Sequence, residues 1–404
     1  MKNHSNPLRI AIVSDSISFP HGMAATSRVK LLARAMLEKG AIVTVFCTRV
    51  SEFPPTIENF DAKGTYQGIS FEYTPGRTTR SKWFLARRFA EIRGIIGLFI
   101  RLIQMKLMGQ LDIIYAYISL LNLLPEQRLF LFLAHLLNVP VIGDFCEPPW
   151  ILLSNKNITA RLISPISGLK GAVAISRFLE RWIATESMRL RKSVTSAYVP
   201  ILVDIEEHPK QKLFSNKVHR VMFAGSPEYT QTISFIFSAM QYVWDEIPDC
   251  RLAISGYKNS ELEIKRLYNS QHISWEDHME FLGYMPRDEL LEYYTRSSAL
   301  LIPLFDDIRS QARFPTKIGE YLASGRPIIT TAVGEMPFYF KDGQNAFMCE
   351  PGDPRTFAQK ILEALQNPEL ADQVGRQGYK TAHNVFHYAL YRDTLTDLFN
   401  QIKP

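Results

Sequence analysis

Cysteine is scarce in this chain of 404 residues: only Cys47, Cys146, Cys250 and Cys349, spaced about a hundred residues apart. None forms a CxxC pair, so the sequence suggests neither a zinc site nor a disulfide framework. Their apolar settings (VTVFC, AFMCE) read as buried, reduced thiols of a reducing compartment. Long apolar runs are also missing. GIIGLFI stops at Arg101 and LFLFLAHLL at Asn138, short of the ~18 residues that a membrane span needs. MKNHSNPLRIAIV lacks a signal-peptide pattern, so a cytoplasmic location is expected. A G-x-G-x-x-G turn, the mark of dinucleotide-dependent oxidoreductases, occurs neither at Gly22 nor at Gly225. There is no Asp-x-Asp triplet to hold a divalent cation; Asp306 and Asp307 are adjacent and read as a solvated loop pair. Nine scattered histidines suggest no nucleophilic triad, and no internal repeat is evident.

What is present is a strand–helix rhythm, stated twice. LRIAIVS is a short β-branched run; a loop containing Pro20 and Gly22 follows, then SRVKLLARAMLEKG, then AIVTVFC. Val29, Leu32, Ala33, Met36 and Leu37 recur at helical spacing, and Gly40 suits a left-handed helix terminus. The rhythm restarts at VMFAG and runs through RLAIS, MEFLG, ALLIPL, PIITT and AFMCE. The clearest helices between those strands are RDELLEYYTRS, KIGEYLASG and DPRTFAQKILEAL, the last with Asp353 as N-cap and Pro354 in its first turn. Alternation of this kind predicts parallel sheets covered by helices on both faces. A chain of this length suits two domains. The expected division is 1–205, a linker over 206–220 (within VDIEEHPKQKLFSNKVH), 221–385, and a terminal helical segment over 386–404 packing back towards the first domain.

Open parallel sheets bind ligands where strand ends lead into helix N-termini. RSQARFPTKIGE, residues 309–320, follows the strand ALLIPL and leads into such a helix. Thr316 and Glu320 lie at i, i+4 on one helix face, with Lys317 one step round. A carboxylate there can accept hydrogen bonds from both ribose hydroxyls, and Arg313 and Lys317 can neutralise phosphate oxygens. The bland alternative is an exposed Lys317–Glu320 pair at i, i+3, worth ~0.2–0.5 kcal/mol.

FPTKIGEYLASGRPIITTAVGEMPFYFKDGQNAFMCEPGDP, from Phe314 to Pro354, resembles the donor-site signature of glycosyltransferase family 4, the retaining enzymes of GT-B architecture. LGYMPRDELLEYYTRSSALLIPL, AVAISRFLERWI, YVPILVD and the opening strand with Gly22 and Arg28 extend the likeness over most of the chain. The resemblance implies an α/β fold of two doubly wound Rossmann-like domains facing a central cleft. Glu320 would bind the ribose, while Arg313, Phe314, Pro315 and Thr316 would contact donor sugar and phosphates. Gly225 and Ser226 would line the phosphate end, and Gly283 and Tyr284 the base pocket. Arg313 and Lys317 are the catalytic candidates; Gly22, His21 and Asp144 are the acceptor-side ones. Gly22 is equally suited to a tight turn, and Asp144 to a structural role.

The implied reaction is metal-independent, hexosyltransferase-like transfer without a cofactor, from a nucleotide-diphosphate sugar to a glycan or lipid-linked acceptor in surface polysaccharide biosynthesis. Three residues depart from the family pattern. Ala312 stands where a glutamate usually contacts the transferred sugar. Ser226 and Gln231 replace an arginine and a lysine that stabilise the leaving diphosphate, a place where developing charge makes electrostatics count. Compensation by Arg309, Arg313 or Lys317 is one reading; a non-catalytic nucleotide-sugar-binding partner of another transferase is the other.

The charge, +6 overall, is concentrated: Arg77, Arg80, Lys82, Arg87, Arg88, Arg93, Arg101 and Lys106 face one acid, Glu91. Leu85, Phe89, Ile92, Ile96, Phe99 and Ile103 repeat along the same stretch at helical spacing. Two readings stay open: a helix lying in an anionic membrane interface through residues 77–106, or a domain helix whose stripe faces the core. The first would make the protein peripheral on the inner face of the cell membrane. No nucleic-acid-binding module accompanies the patch.

Overall fold

A computed structural model of the chain describes residues 6–54, 57–118, 124–149, 164–209, 219–225, 230–256 and 278–403. It divides into two compact units: Met1–Leu202 with Ala312–Phe314 and Tyr388–Pro404, and Val203–Gln311 with Pro315–His387.

In the first unit, strands β1 (Arg9–Ser14), β2 (Ile42–Cys47), β3 (Lys63–Tyr66), β4 (Ile69–Tyr73), β5 (Ile113–Tyr117), β6 (Val141–Phe145), β7 (Gly171–Ala174) and β8 (Thr195–Tyr198) form one sheet. Its order is β3-β4-β2-β1-β5-β6-β7-β8. Every pairing is parallel except the β3–β4 hairpin, whose turn residues Gln67 and Gly68 both have positive φ, as a tight hairpin requires. The helices are α1 (Ala24–Glu38), α2 (Phe84–Leu107), α3 (Pro125–Leu136) and α4 (Arg177–Leu190). Gly40, at φ 80°, closes the end of α1, as its sequence suggested.

In the second unit, β9 (Arg220–Ala224), β10 (Arg251–Ser255), β11 (Met279–Gly283), β12 (Ala299–Ile302), β13 (Ile328–Thr331) and β14 (Phe347–Cys349) form a wholly parallel sheet. The order is β11-β10-β9-β12-β13-β14. Its helices are α5 (Thr230–Glu246), α6 (Arg287–Arg296), α7 (Ile308–Ala312), α8 (Lys317–Ala323), α9 (Met336–Tyr339), α10 (Pro354–Gln366) and α11 (Pro368–Thr381). α7 ends on Ala312, which groups with the first unit. Asp353 caps α10 by accepting from the Arg355 and Thr356 amides at 3.0 and 3.2 Å.

The last helix, α12 (Arg392–Ile402), belongs to the first unit, where Leu395, Leu398, Phe399 and Ile402 join the core beside β1 and α1. Glu38 at the end of α1 accepts from Tyr388 Oη and Arg392 Nη1, each at 2.6 Å. Val203–Pro209, by contrast, groups with the second unit: the Val203 amide donates to Phe386 O at 2.9 Å. Part of the stretch that reads as a linker is therefore packed structure. Among the described residues no helix is long and apolar enough to cross a membrane.

Candidate functional site

β9 lies at the centre of the second sheet, where the strand order reverses: β10 and β11 lie to one side, β12 to β14 to the other. The carboxyl end of such a strand is where open α/β sheets leave a crevice for ligands. β9 ends at Ala224, and Gly225 follows, its amide donating to Ser255 O at 3.1 Å. The helix α8 is fastened to this strand end through both Ala224 backbone groups. The Ala224 amide donates to Tyr321 Oη at 2.8 Å, and Lys317 Nζ donates to Ala224 O. The Lys317 ammonium also sits 5.0 Å from the centroid of the Phe223 ring. Burial pushes Lys317 down to about 8, with Glu320 acting in the opposite direction. A cation held in this way gains most from a second anion, because its own solvation has already been lost.

Glu320 stands one turn along α8. Its Oε1 is paired with Arg287 Nη1 at the start of α6, and Arg287 Nη2 lies 3.7 Å from Glu207 Oε2. Burial works against the Arg287 charge, yet Glu320 and Glu207 hold its pKa above the ordinary arginine value. Beside them, His208 Nδ1 is 2.8 Å from Asp204 O. A carbonyl can only accept, so Nδ1 carries the proton and Nε2 presents a lone pair. That Nε2 is buried without a hydrogen-bond partner. Burial lowers the His208 pKa, with Glu320 opposing, which favours the neutral ring. Arg287, Glu207 and His208 were not singled out from sequence. The two latter fall in the polar stretch that reads as a linker, and a pair across 33 positions leaves no local signal.

The other expected donor-side residues are distributed as follows. Pro315 and Thr316 lead into α8, their carbonyls accepting from the Ile318 and Gly319 amides, each at 3.1 Å. Gly283 ends β11 at φ 61°, and its carbonyl accepts from the Gly256 amide at 2.8 Å. Tyr284, next in sequence, is exposed. Ser226 lies outside the described residues, and Gln231 is exposed in the first turn of α5. Asp306 and Asp307 serve the loop before α7: they accept from Gln311 Nε2 and from the Ser310 amide, each at 2.7 Å.

Ala312, Arg313 and Phe314 group with the first unit. Arg313 pairs with Glu147, its Nε buried without a hydrogen-bond partner; Phe314 is buried, and Ala312 O accepts from Ser176 Oγ at 2.6 Å. Arg313 is thus engaged by a carboxylate within the first unit.

On the acceptor side, Gly22 is explained by its own loop. A Cβ there would come within 2.5 Å of Thr26 Oγ1 and 2.7 Å of Ser18 O, which are themselves bonded at 2.6 Å. This is the tight-turn alternative. His21 is anchored by its backbone to Asn59 at 2.9 and 2.8 Å, its exposed ring edge-on to Tyr66. Asp144 is a buried counter-ion: both its oxygens accept from Arg28 at 3.0 Å, and Tyr115 Oη adds a bond at 2.9 Å. Arg28 also donates to Pro200 O and Val199 O. Its charge is stabilised by Asp144 against burial. With its oxygens engaged in this way, Asp144 fixes α1 against β6, the structural role that its sequence setting also allows. It lines, with Ser16, Tyr117, Cys146 and Glu147, a cavity of about 210 Å³. Among the described residues no group of three His, Cys, Asp or Glu is placed to hold a metal ion.

Comparison with known proteins bears on the second unit above all. Residues 204–381 match the family model described as Glycosyl transferases group 1. An uncharacterised glycosyltransferase of Methanocaldococcus jannaschii is 33% identical over 25% of this chain and 27% of its own length. N-acetyl-alpha-D-glucosaminyl L-malate synthase of Bacillus anthracis is 26% identical over 37% and 39%, and spore coat protein SA of Bacillus subtilis 22% identical over 61% and 62%. The matched stretches thus span from about a quarter to about three-fifths of these relatives' lengths. Among solved structures, sucrose-phosphate synthase from Thermosynechococcus elongatus superposes with a TM-score of 0.70 at 16% identity, covering 98% of this chain and 99% of that one. HepE of Anabaena, solved with UDP and glucose, gives 0.68 at 12% identity over 97% and 99%. The chain has the two-domain α/β fold of the GT-B glycosyltransferases, and its residues 204–381 match the model of Glycosyl transferases group 1.

Proposed function

We propose that the protein is a retaining glycosyltransferase of the family 4 type that binds its nucleotide-diphosphate sugar at the carboxyl end of β9. The observation that carries this reading is the first turn of α8, which sets a buried cation and a carboxylate at the topological switch point of a group 1 segment. Glu320 accepts the ribose hydroxyls, Oε1 shared with Arg287. Lys317 meets the diphosphate and stabilises the charge that grows on it as the glycosidic bond breaks. His208 Nε2 accepts a further hydrogen bond from the nucleoside. The acceptor hydroxyl attacks from the face the diphosphate leaves, and the departing phosphate takes its proton, so the anomeric configuration is kept.

The acceptor we propose is a glycan or lipid-linked saccharide of a surface polysaccharide, met at the inner face of the cell membrane. The test is incubation with uridine, guanosine and adenosine diphosphate sugars and a lipid-linked acceptor pool, followed by nucleoside diphosphate release and NMR of the product anomer. Release with retained configuration is expected; inversion would refute the mechanism. Ala312, Ser226 and Gln231 motivate a second reading, a nucleotide-sugar-binding partner of another transferase. Tight nucleotide binding with no release from any pairing is its signature.

A further inference from the structure

The helix α2 is polarised the wrong way round for a helix of a water-soluble domain. Its inward face is made of Ala90, Gly94, Leu98, Leu102 and Met105, with glycines where the backbone comes closest. A Cβ on Gly94 would lie 2.2 Å from Thr48 O, and one on Gly97 would lie 2.7 Å from Thr74 O. Thr74 Oγ1 donates to Gly94 O at 2.7 Å, so the helix cannot roll its other side inward. That other side carries the large apolar residues: Leu85 is 80% exposed, Phe89 66%, Ile92 57% and Ile96 53%. Trp83, Ile100, Ile103 and Leu107 continue the exposure. The stripe legible in the sequence, apart from the half-buried Phe99, is therefore the outer surface, not the core.

α3 repeats the pattern. Phe130, Leu131 and Ala134 are buried, while Leu129, Phe132 and Leu136, at i, i+3 and i+7, are exposed. The connections β4–α2–β5 and β5–α3–β6 advance across the sheet in one direction, so right-handed crossovers put both helices on one face of it. They flank a shared cavity of about 110 Å³ lined by Ile95, Phe99 and Phe130. Two neighbouring helices thus present apolar surfaces away from the same sheet face, more than scattered surface hydrophobics explain.

We infer that the outer faces of α2 and α3 form one docking surface for an anionic lipid bilayer. Charge selects this occupant. Arg88 and Lys106 border the α2 stripe on one side and Arg93 on the other; Lys82 and Arg87 lie at its amino end beside the exposed Trp83 and Phe84. The guanidinium carbons of Arg87 and Arg88 lie 5.8 and 5.3 Å from the Phe84 ring centroid. Apolar side chains ringed by cations, with an indole at the edge, match acyl chains beneath anionic headgroups. A second copy of the chain would bring this cationic rim against itself. The inference deepens the membrane-side acceptor reading by naming the surface and the lipid charge, and rests on that reading only for the acceptor.

The probe is vesicles of phosphatidylcholine with or without about 30 mol % phosphatidylglycerol. Full-length protein should co-sediment with the anionic vesicles, release with added salt, and show a blue shift of Trp83 emission that Trp83→Phe removes. The variant Leu85→Glu/Ile92→Glu/Ile96→Glu should lose at least about tenfold in partitioning while keeping its nucleotide affinity and thermal midpoint. Should it misfold, Arg87→Glu/Arg88→Glu/Arg93→Glu carries the test. No binding by the wild type, equal binding by the variants, or a dimer that the triple glutamate breaks would overturn the inference. Vesicle binding without sugar transfer would leave it standing and count against the transferase reading instead.

Discussion

Lys317 makes the donor-site account quantitative. Burial holds its ammonium at about 8 in the unliganded protein, well below the ordinary lysine value near 10.4. A diphosphate placed beside Nζ favours the charged form and raises that value again. Below pH 8 the lysine is already protonated and binding takes up little; above it, nucleotide binding must bring a proton in. Uptake should grow from roughly a tenth of a proton at pH 7 to about half at pH 8 and about nine-tenths at pH 9, and affinity should fall by up to about tenfold per pH unit above 8. Isothermal titration of uridine diphosphate in pairs of buffers with different ionisation heats reads the proton count. Lys317→Met should abolish the uptake. An uptake absent at pH 9, or unchanged in the variant, would show that the phosphates do not lie against Lys317.

Two further predictions concern the scaffold of the first unit. Arg28→Met strands a buried carboxylate and should cost about 3–5 kcal/mol in the denaturant unfolding of that unit, with Arg28→Met/Asp144→Leu costing less than Arg28→Met alone. A loss below about 1 kcal/mol would mean that the pair is solvated. Gly94→Ala drives a methyl group into Thr48 O and should destabilise by about 1–3 kcal/mol, whereas Ile96→Ala on the outer face should stay within about 0.5 kcal/mol; similar thermal midpoints for the two would reverse the assignment of the α2 faces.

The strands and helices were legible because β-branched runs and helical spacing report local burial, and because Gly40, Asp353 and Pro354 mark ends through backbone geometry alone. Thr316, Lys317 and Glu320 were legible for the same reason, lying within one turn of each other. The orientation of α2 was not. Hydropathy follows large side chains, and the decisive residues are Gly94 and Gly97, which matter for what they lack. Long-range pairs were equally hidden. Arg28 and Asp144 are 116 positions apart, and each taken alone suits a cleft as well as a buried bridge. His208 escaped notice because Glu206, Glu207 and Lys210 around it give the composition of a solvated connector, yet Asp204 O fixes its tautomer and Glu320 shares its surroundings.

The central claim is that Glu320 holds the nucleotide's ribose in the second unit. Affinity of uridine, guanosine and adenosine diphosphates for the wild type and for Glu320→Ala, by calorimetry at one pH and salt concentration, tests it most directly. At least one nucleotide should bind the wild type, and the same one should bind Glu320→Ala at least about tenfold more weakly, the worth of one charge-assisted hydrogen bond. Equal affinities would contradict the claim and remove the donor site from this strand end.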